Sequence, residues 1–279
     1  MTRGIVVVAQ NNKTENYVEQ ACLLAMSLSI TNTDTPISIM TDDDVPTEYQ
    51  SLFDKIIPIP WSDSAKTSQW KIENRWKVYH VTPYDETIVM DTDMLVLQDI
   101  SNWWKVLENY PLFFTTNVYT YRGELVDNNY YRKTFVSNDL PNIYTGFYYF
   151  KKNDTSLKFF EWLELIIKNW ELFYGQLATK DYPKWCSIDV SAAIAIKIMG
   201  IENHVTNSKI KYPSFTHMKP ATQKWFHVPE KWTNKIETYV NKDCEIKIGN
   251  YCQSGIFHYT ENNFISESVL SKFKVKANV

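Results

Sequence analysis

Cysteine is sparse. The four residues Cys22, Cys186, Cys244 and Cys252 show no Cys-x-x-Cys spacing. The chain therefore offers neither a zinc-finger pattern nor a disulfide framework, and reduced thiols in a cytoplasmic setting are the expectation. No apolar run approaches the ~18 residues a spanning helix needs. Strand character begins directly after Arg3, so neither a signal peptide nor an integral membrane segment is expected. No Gly-rich loop carrying Arg or Lys follows that first strand, which argues against a phosphate-loop nucleotidyltransferase. Arginine is rare, 4 residues beside 25 lysines. That imbalance reads as the base composition of an AT-rich phage or bacterial genome and says nothing of function. Net charge is −3, so the chain as a whole is no polyanion binder. Internal repeats and flexible linkers are absent, and residues 1–279 read as one domain.

Hydrophobic residues make up 44% and charged residues 22% of the chain, as in ordinary soluble proteins. Aromatic residues reach 15%; such rings stack on sugars or bases, but most fill cores. Charge is concentrated in 205–235. There Lys209, Lys211, Lys219, Lys224, Lys231 and Lys235 face Glu230 alone, among His217, Trp225, His227 and Trp232. The stretch reads as a solvated lysine-rich surface, or as a cationic floor for a phosphate or anionic acceptor.

Apolar runs at residues 4–9, 36–40, 55–59, 87–90 and 94–97 read as strands. Helical spacing marks 17–30, 67–81, 157–173 and 188–199, while 143–151 and 254–259 read as later strands. Strand and helix alternate through the first hundred residues. This predicts an α/β fold with a Rossmann-like, mainly parallel sheet flanked by helices. Residues 117–142 read as a long loop or short helices. Pro213, Pro220 and Pro229 argue against long helices beyond residue 203. In such sheets ligands bind beyond the carboxyl ends of the strands, here in loops rich in Asn and Asp.

Asp91-Thr92-Asp93 stands at the end of the strand at 87–90. Sixteen aspartates in 279 residues give roughly one Asp-x-Asp by chance, and Asp42 with Asp44 forms a second. The setting carries the weight: acidic groups at the tip of an apolar strand are costly to desolvate without a cation. Two carboxylates one residue apart suit a hard divalent ion such as Mn²⁺ or Mg²⁺, which would neutralise a diphosphate. A pair of turn-capping aspartates is the competing reading.

The segment DETIVMDTDMLVLQDI resembles the DxD segment of the GT-A glycosyltransferases, especially the family-eight group of glycogenin-like enzymes and galactosyltransferases. VVVAQNNKTENYVEQACLLAMSLS is similar to that group's opening strand, loop, Tyr and helix. IYTGFYYF and CSIDVSAAIAIKIMG resemble its later strand and helix start. The resemblance spans about residues 4–200. It implies a GT-A fold with a nucleotide-sugar half, 1–110, and an acceptor half, 111–279. It also implies that Tyr17 stacks on the nucleotide base and that Ala9, Gln10 and Asn11 contact base and ribose. Arg75 would meet the donor phosphate or sugar, Asp189 would lie beside the donor sugar, and Thr92 and Gly146 complete the donor-binding set. Asp42 or Asp43 would hold ribose or base, or cap a turn. A late His is expected as third metal ligand with Asp91 and Asp93: His258 in GIFHYTEN, or His217 in SFTHMKP beside Lys219, a phosphate-binding candidate. The sequence departs from the group at Tyr144, where an Asn is usual, at Val190, where a Gln is usual, and in the insert 117–142.

The activity so implied is metal-dependent transfer of a sugar from a nucleoside-diphosphate sugar, UDP-linked by preference, to an acceptor hydroxyl, with retention of configuration as in the family-eight group. Arg75, Asp189 and Lys219 are the candidate catalytic residues. The acceptor is a glycan or small molecule, or alternatively a hydroxymethylated base in phage DNA, which the basic stretch 205–235 and the Tyr/Arg insert would suit. A non-catalytic protein that binds nucleotide-sugar or carbohydrate is the third reading.

Overall fold

A computed structural model describes residues 2–31, 34–126, 132–206, 212–218, 236–259 and 264–279. Its strands are β1 (Arg3–Val8), β2 (Ile37–Met40), β3 (Ile56–Ile57), β4 (Glu86–Met90), β5 (Met94–Val96), β6 (Leu112–Thr115), β7 (Val118–Tyr119), β8 (Tyr144–Lys151), β9 (Phe215–His217), β10 (Thr238–Val240), β11 (Ile246–Ile248), β12 (Tyr251–Cys252) and β13 (Ile256–His258). Its helices are α1 (Tyr17–Ile30), α2 (Val78–Val81), α3 (Trp104–Leu107), α4 (Lys133–Ser137), α5 (Asp154–Lys168), α6 (Trp170–Leu177), α7 (Ile188–Met199), α8 (Glu202–Val205) and α9 (Glu267–Ala277).

Six strands form the central sheet in the order β3-β2-β1-β4-β8-β6. β1 pairs parallel with β2 and β4, and β2 with β3, whereas β8 runs antiparallel to both β4 and β6. The chain leaves β1 toward one edge and returns to its other side as β4. The gap beyond the carboxyl ends of β1 and β4 is thus a switch point, where a ligand crevice is expected.

Both faces of this sheet are covered. Strand alternation sends Ile5, Val7, Ile88, Met90, Phe147 and Tyr149 into one core with α1. Val6, Val8, Val89, Tyr148 and Phe150 go into a second core with α5 and α7. A strand buried on both faces reads as an unbroken apolar run, which is why residues 4–8 and 87–90 were legible. α1 begins where Asn16 accepts a bond from the Glu19 amide, 3.1 Å, and α7 ends at Gly200 in the left-handed conformation, φ 65°.

Other elements depart from the sequence expectation. The helix expected over 67–81 is reduced to a 3₁₀ turn at Arg75–Lys77 and the short α2. Lys71 has φ 54°, and Lys71 and Lys77 donate instead to carbonyls of residues 60–66. The helix expected over 157–173 is broken at Asn169 into α5 and α6. Beyond residue 203 lie short strands in two further sheets, β10-β11-β12 and β5-β13-β9-β7. Among the described residues no helix is long and apolar enough to cross a membrane.

Candidate metal and donor site

The four-stranded sheet builds the site. β5 starts one residue after Asp93, and β13 runs antiparallel to it with His258 opposite Met94. The Tyr259 amide donates to the Asp93 carbonyl, 3.0 Å, and the Asp91 amide to the Gly146 carbonyl, 2.9 Å. Backbone pairing thereby brings a C-terminal strand to the tip of β4. Ligating atoms of Asp91, Asp93 and His258 all lie within 4.8 Å of one another. His258 Nε2 stands 2.9 Å from Asp93 Oδ1, with its side chain 9% exposed. His217 is in register with His258 on the neighbouring β9, and its ring centroid lies 4.5 Å away. It flanks the cluster without joining it.

The donor set fits a hard divalent cation: two carboxylates and one imidazole, partly withdrawn from water. The backbone makes room for it. A Cβ at Gly146 would lie 3.3 Å from Asp91 Oδ2 and 3.4 Å from His258 Nδ1. Burial pushes the Asp91 carboxyl above the usual carboxylate range; Arg75 opposes this and Asp93 adds to it. The Arg75 guanidinium contacts Asp91 Oδ1 at 2.9 Å.

The donor-side candidates fall into distinct groups. Tyr17 opens α1 half-buried, and burial raises its phenol against the pull of Arg75. Ala9 is fully buried and offers only backbone. Gln10 accepts from Asn74 Nδ2, 2.8 Å, so its amide supports the 61–74 loop. Burial raises Asp63 in that loop, but donors on Gln10, Ala65 and Asn74 outweigh it and hold the carboxyl below its ordinary value. Asn11 accepts from the Val18 amide and donates its own amide to Asp43. Asp42 accepts from the Ile59 amide, 2.8 Å, a turn-holding role. Thr92 is buried and its hydroxyl donates to Gln20, away from the metal ligands. Beside Asn11 opens a cleft of ≈ 700 Å³ lined by residues 11–14, 66–69 and Lys71.

Asp189 sits in the first turn of α7, bonded to Thr145 and Arg132. Tyr144 lays its ring on Arg132 at 3.9 Å and is buried. Lys219, the other five lysines of the basic stretch 205–235 and most of its residues lie outside the described residues. Sequence reasoning missed Glu15, whose carboxyl burial and then Asp93 push upward, and the Asn74–Asp63 brace. The order of residues gave no signal for either, because both depend on contacts between distant loops.

No protein-family model matches the chain, and no curated protein sequence matches it. Solved structures do. The galactosyltransferase LgtC, in complex with donor and acceptor sugar analogues, superposes with TM-score 0.54 at 14% identity, over 99% of this chain and 95% of that one. Mouse xyloside xylosyltransferase 1 superposes with TM-score 0.51 at 9% identity, over 95% of this chain and 100% of that one. The apo glycosyltransferase GlyE of Streptococcus pneumoniae TIGR4 also matches, with TM-score 0.45 and 15% identity; this chain spans 45% of its length. At these identities the likeness is one of fold, and the fold is the GT-A glycosyltransferase fold.

Proposed function

We propose that the chain is a divalent-metal-dependent glycosyltransferase that uses a nucleoside-diphosphate sugar, with a UDP-sugar as donor and a glycan or small-molecule hydroxyl as acceptor. The observation that carries this reading is the convergence of Asp91, Asp93 and His258 at the switch point of a GT-A sheet. Asp91, Asp93 and His258 would hold the cation, which supplies Lewis-acid neutralisation of the leaving diphosphate. Arg75 adds a fixed positive charge at the same place, where charge develops as the glycosidic bond breaks. Tyr17 offers a ring for the base, and Asp189 would meet the donor sugar. Retention of anomeric configuration follows the family-eight resemblance. The DNA-base alternative rests on the stretch 205–235, most of which lies outside the described residues, and on the insert 117–142, whose Tyr121 and Arg132 are buried within the protein.

The test is a thermal-shift screen of UDP, UDP-galactose, UDP-glucose and UDP-xylose with Mn²⁺ or with EDTA. A ligand at 100 times its Kd stabilises by about 2.7 kcal/mol, a rise of about 5 °C for a chain of this length. A shift that appears only with Mn²⁺ is expected, followed by UDP release from the stabilising sugar nucleotide. Metal-dependent binding without UDP release in any acceptor mixture would leave a binding protein instead.

A further inference from the structure

Arg132 comes from the insert that has no counterpart in the family-eight group the sequence resembles, yet its side chain is only 5% exposed. Every nitrogen of its guanidinium is committed. Nε donates to Asn142 Oδ1 at 2.7 Å, Nη1 to Asp189 Oδ2 at 2.6 Å, and Nη2 to the Ile143 carbonyl. The rings of Phe135 and Tyr144 cover its two sides, with centroids 3.7 and 3.9 Å from Cζ. A planar fork held between rings in this way has one orientation.

That orientation is passed to Asp189. Its Oδ2 accepts from Arg132, and its Oδ1 accepts from the Thr145 amide at 2.9 Å and from the Thr145 hydroxyl. A carboxylate has about four acceptor positions. Three are taken, and the side chain keeps 25% exposure. One acceptor position is left for a ligand.

We infer that Arg132 is a positioning residue that fixes Asp189, together with Thr145, as an acceptor for a hydroxyl of the donor sugar. The inference rests on the functional reading above. It also gives the insert a role: it supplies the buried brace, with Tyr144 as one wall.

The test compares the full-length wild type with R132M and T145V in Mn²⁺. The probes are UDP and whichever of UDP-galactose, UDP-glucose and UDP-xylose gives the largest Mn²⁺-dependent shift. UDP lacks the sugar that Asp189 would hold, so both variants should bind it within about twofold of wild type, while UDP release from the sugar nucleotide falls about 10²-fold in R132M. T145V removes one hydroxyl at constant shape and should lose about tenfold, without loss of Tm. In both variants the affinity advantage of sugar nucleotide over UDP should disappear. Wild-type release rates in both variants would overturn the inference, as would equal loss of UDP and sugar nucleotide, which marks a merely structural role. If R132M does not fold, T145V decides by the same readings. A wild type that binds neither probe in Mn²⁺ would instead sink the functional reading, and the inference with it.

Discussion

The tightest constraint at the scale of single residues is Gly146. Its missing Cβ leaves the space between Asp91 Oδ2 and His258 Nδ1 open, with the Met94 methyl 2.9 Å from where a Cβ would stand. Gly146→Ala should therefore weaken Mn²⁺ binding by about tenfold, the order seen when groups around metal ligands are altered. Isothermal titration of Mn²⁺ in the presence of UDP checks this, and unchanged affinity would remove Gly146 from the site. Asp91 sets a pH dependence. Burial raises its folded carboxyl above the unfolded value, so the metal-free protein loses stability as pH rises through that interval. Metal binding needs ionised carboxylates and a neutral imidazole, so the Mn²⁺-dependent thermal shift should shrink as pH is lowered from about 7.5 to about 5. A shift independent of pH over that range would contradict metal binding through these three side chains.

Elements differ in how much of them their own residues specify. β1, α1, β4 and α7 follow the sequence expectation closely, because each is either an apolar run or a helix with its own cap. The segment 61–74 does not. Its shape depends on Lys77, which is 2% exposed and bonded to the carbonyls of Pro60 and Ser62, and on Asn74 reaching Gln10. Those partners lie up to 64 residues away along the chain, and local periodicity carries no trace of them. The strands of 236–252 escaped for another reason: they have two or three residues each, too few to show alternation. Asp91 and Asp93 were legible from their place after an apolar strand, and the late His only through resemblance. α9 was not anticipated. It starts at a Ser266 cap and lays Val269 and Phe273 into the core that α1 also fills. Phe273 is 1% exposed, so Phe273→Ala should cost about 3 kcal/mol in urea unfolding. A loss below about 1 kcal/mol would show that α9 is not part of the folded core.

For the whole molecule, the arrangement of sheets explains why the site stands where it does. The central sheet delivers Asp91 and Asp93 to its switch point, and the smaller sheet brings His258 back from the far end of the chain to meet them. Arg75 approaches from one side and the Arg132–Asp189 brace from another. Distant stretches of chain thus meet around the Asp91, Asp93 and His258 cluster, on a fold shared with enzymes that differ from this chain in most residues. The most direct measurement is titration of UDP into wild type and Asp93→Ala, each with Mn²⁺ and with EDTA, alongside their circular dichroism. The account predicts Mn²⁺-dependent binding by wild type, none by a folded Asp93→Ala, and none by either in EDTA. Equal binding by the two proteins in Mn²⁺, or binding indifferent to EDTA, would contradict it.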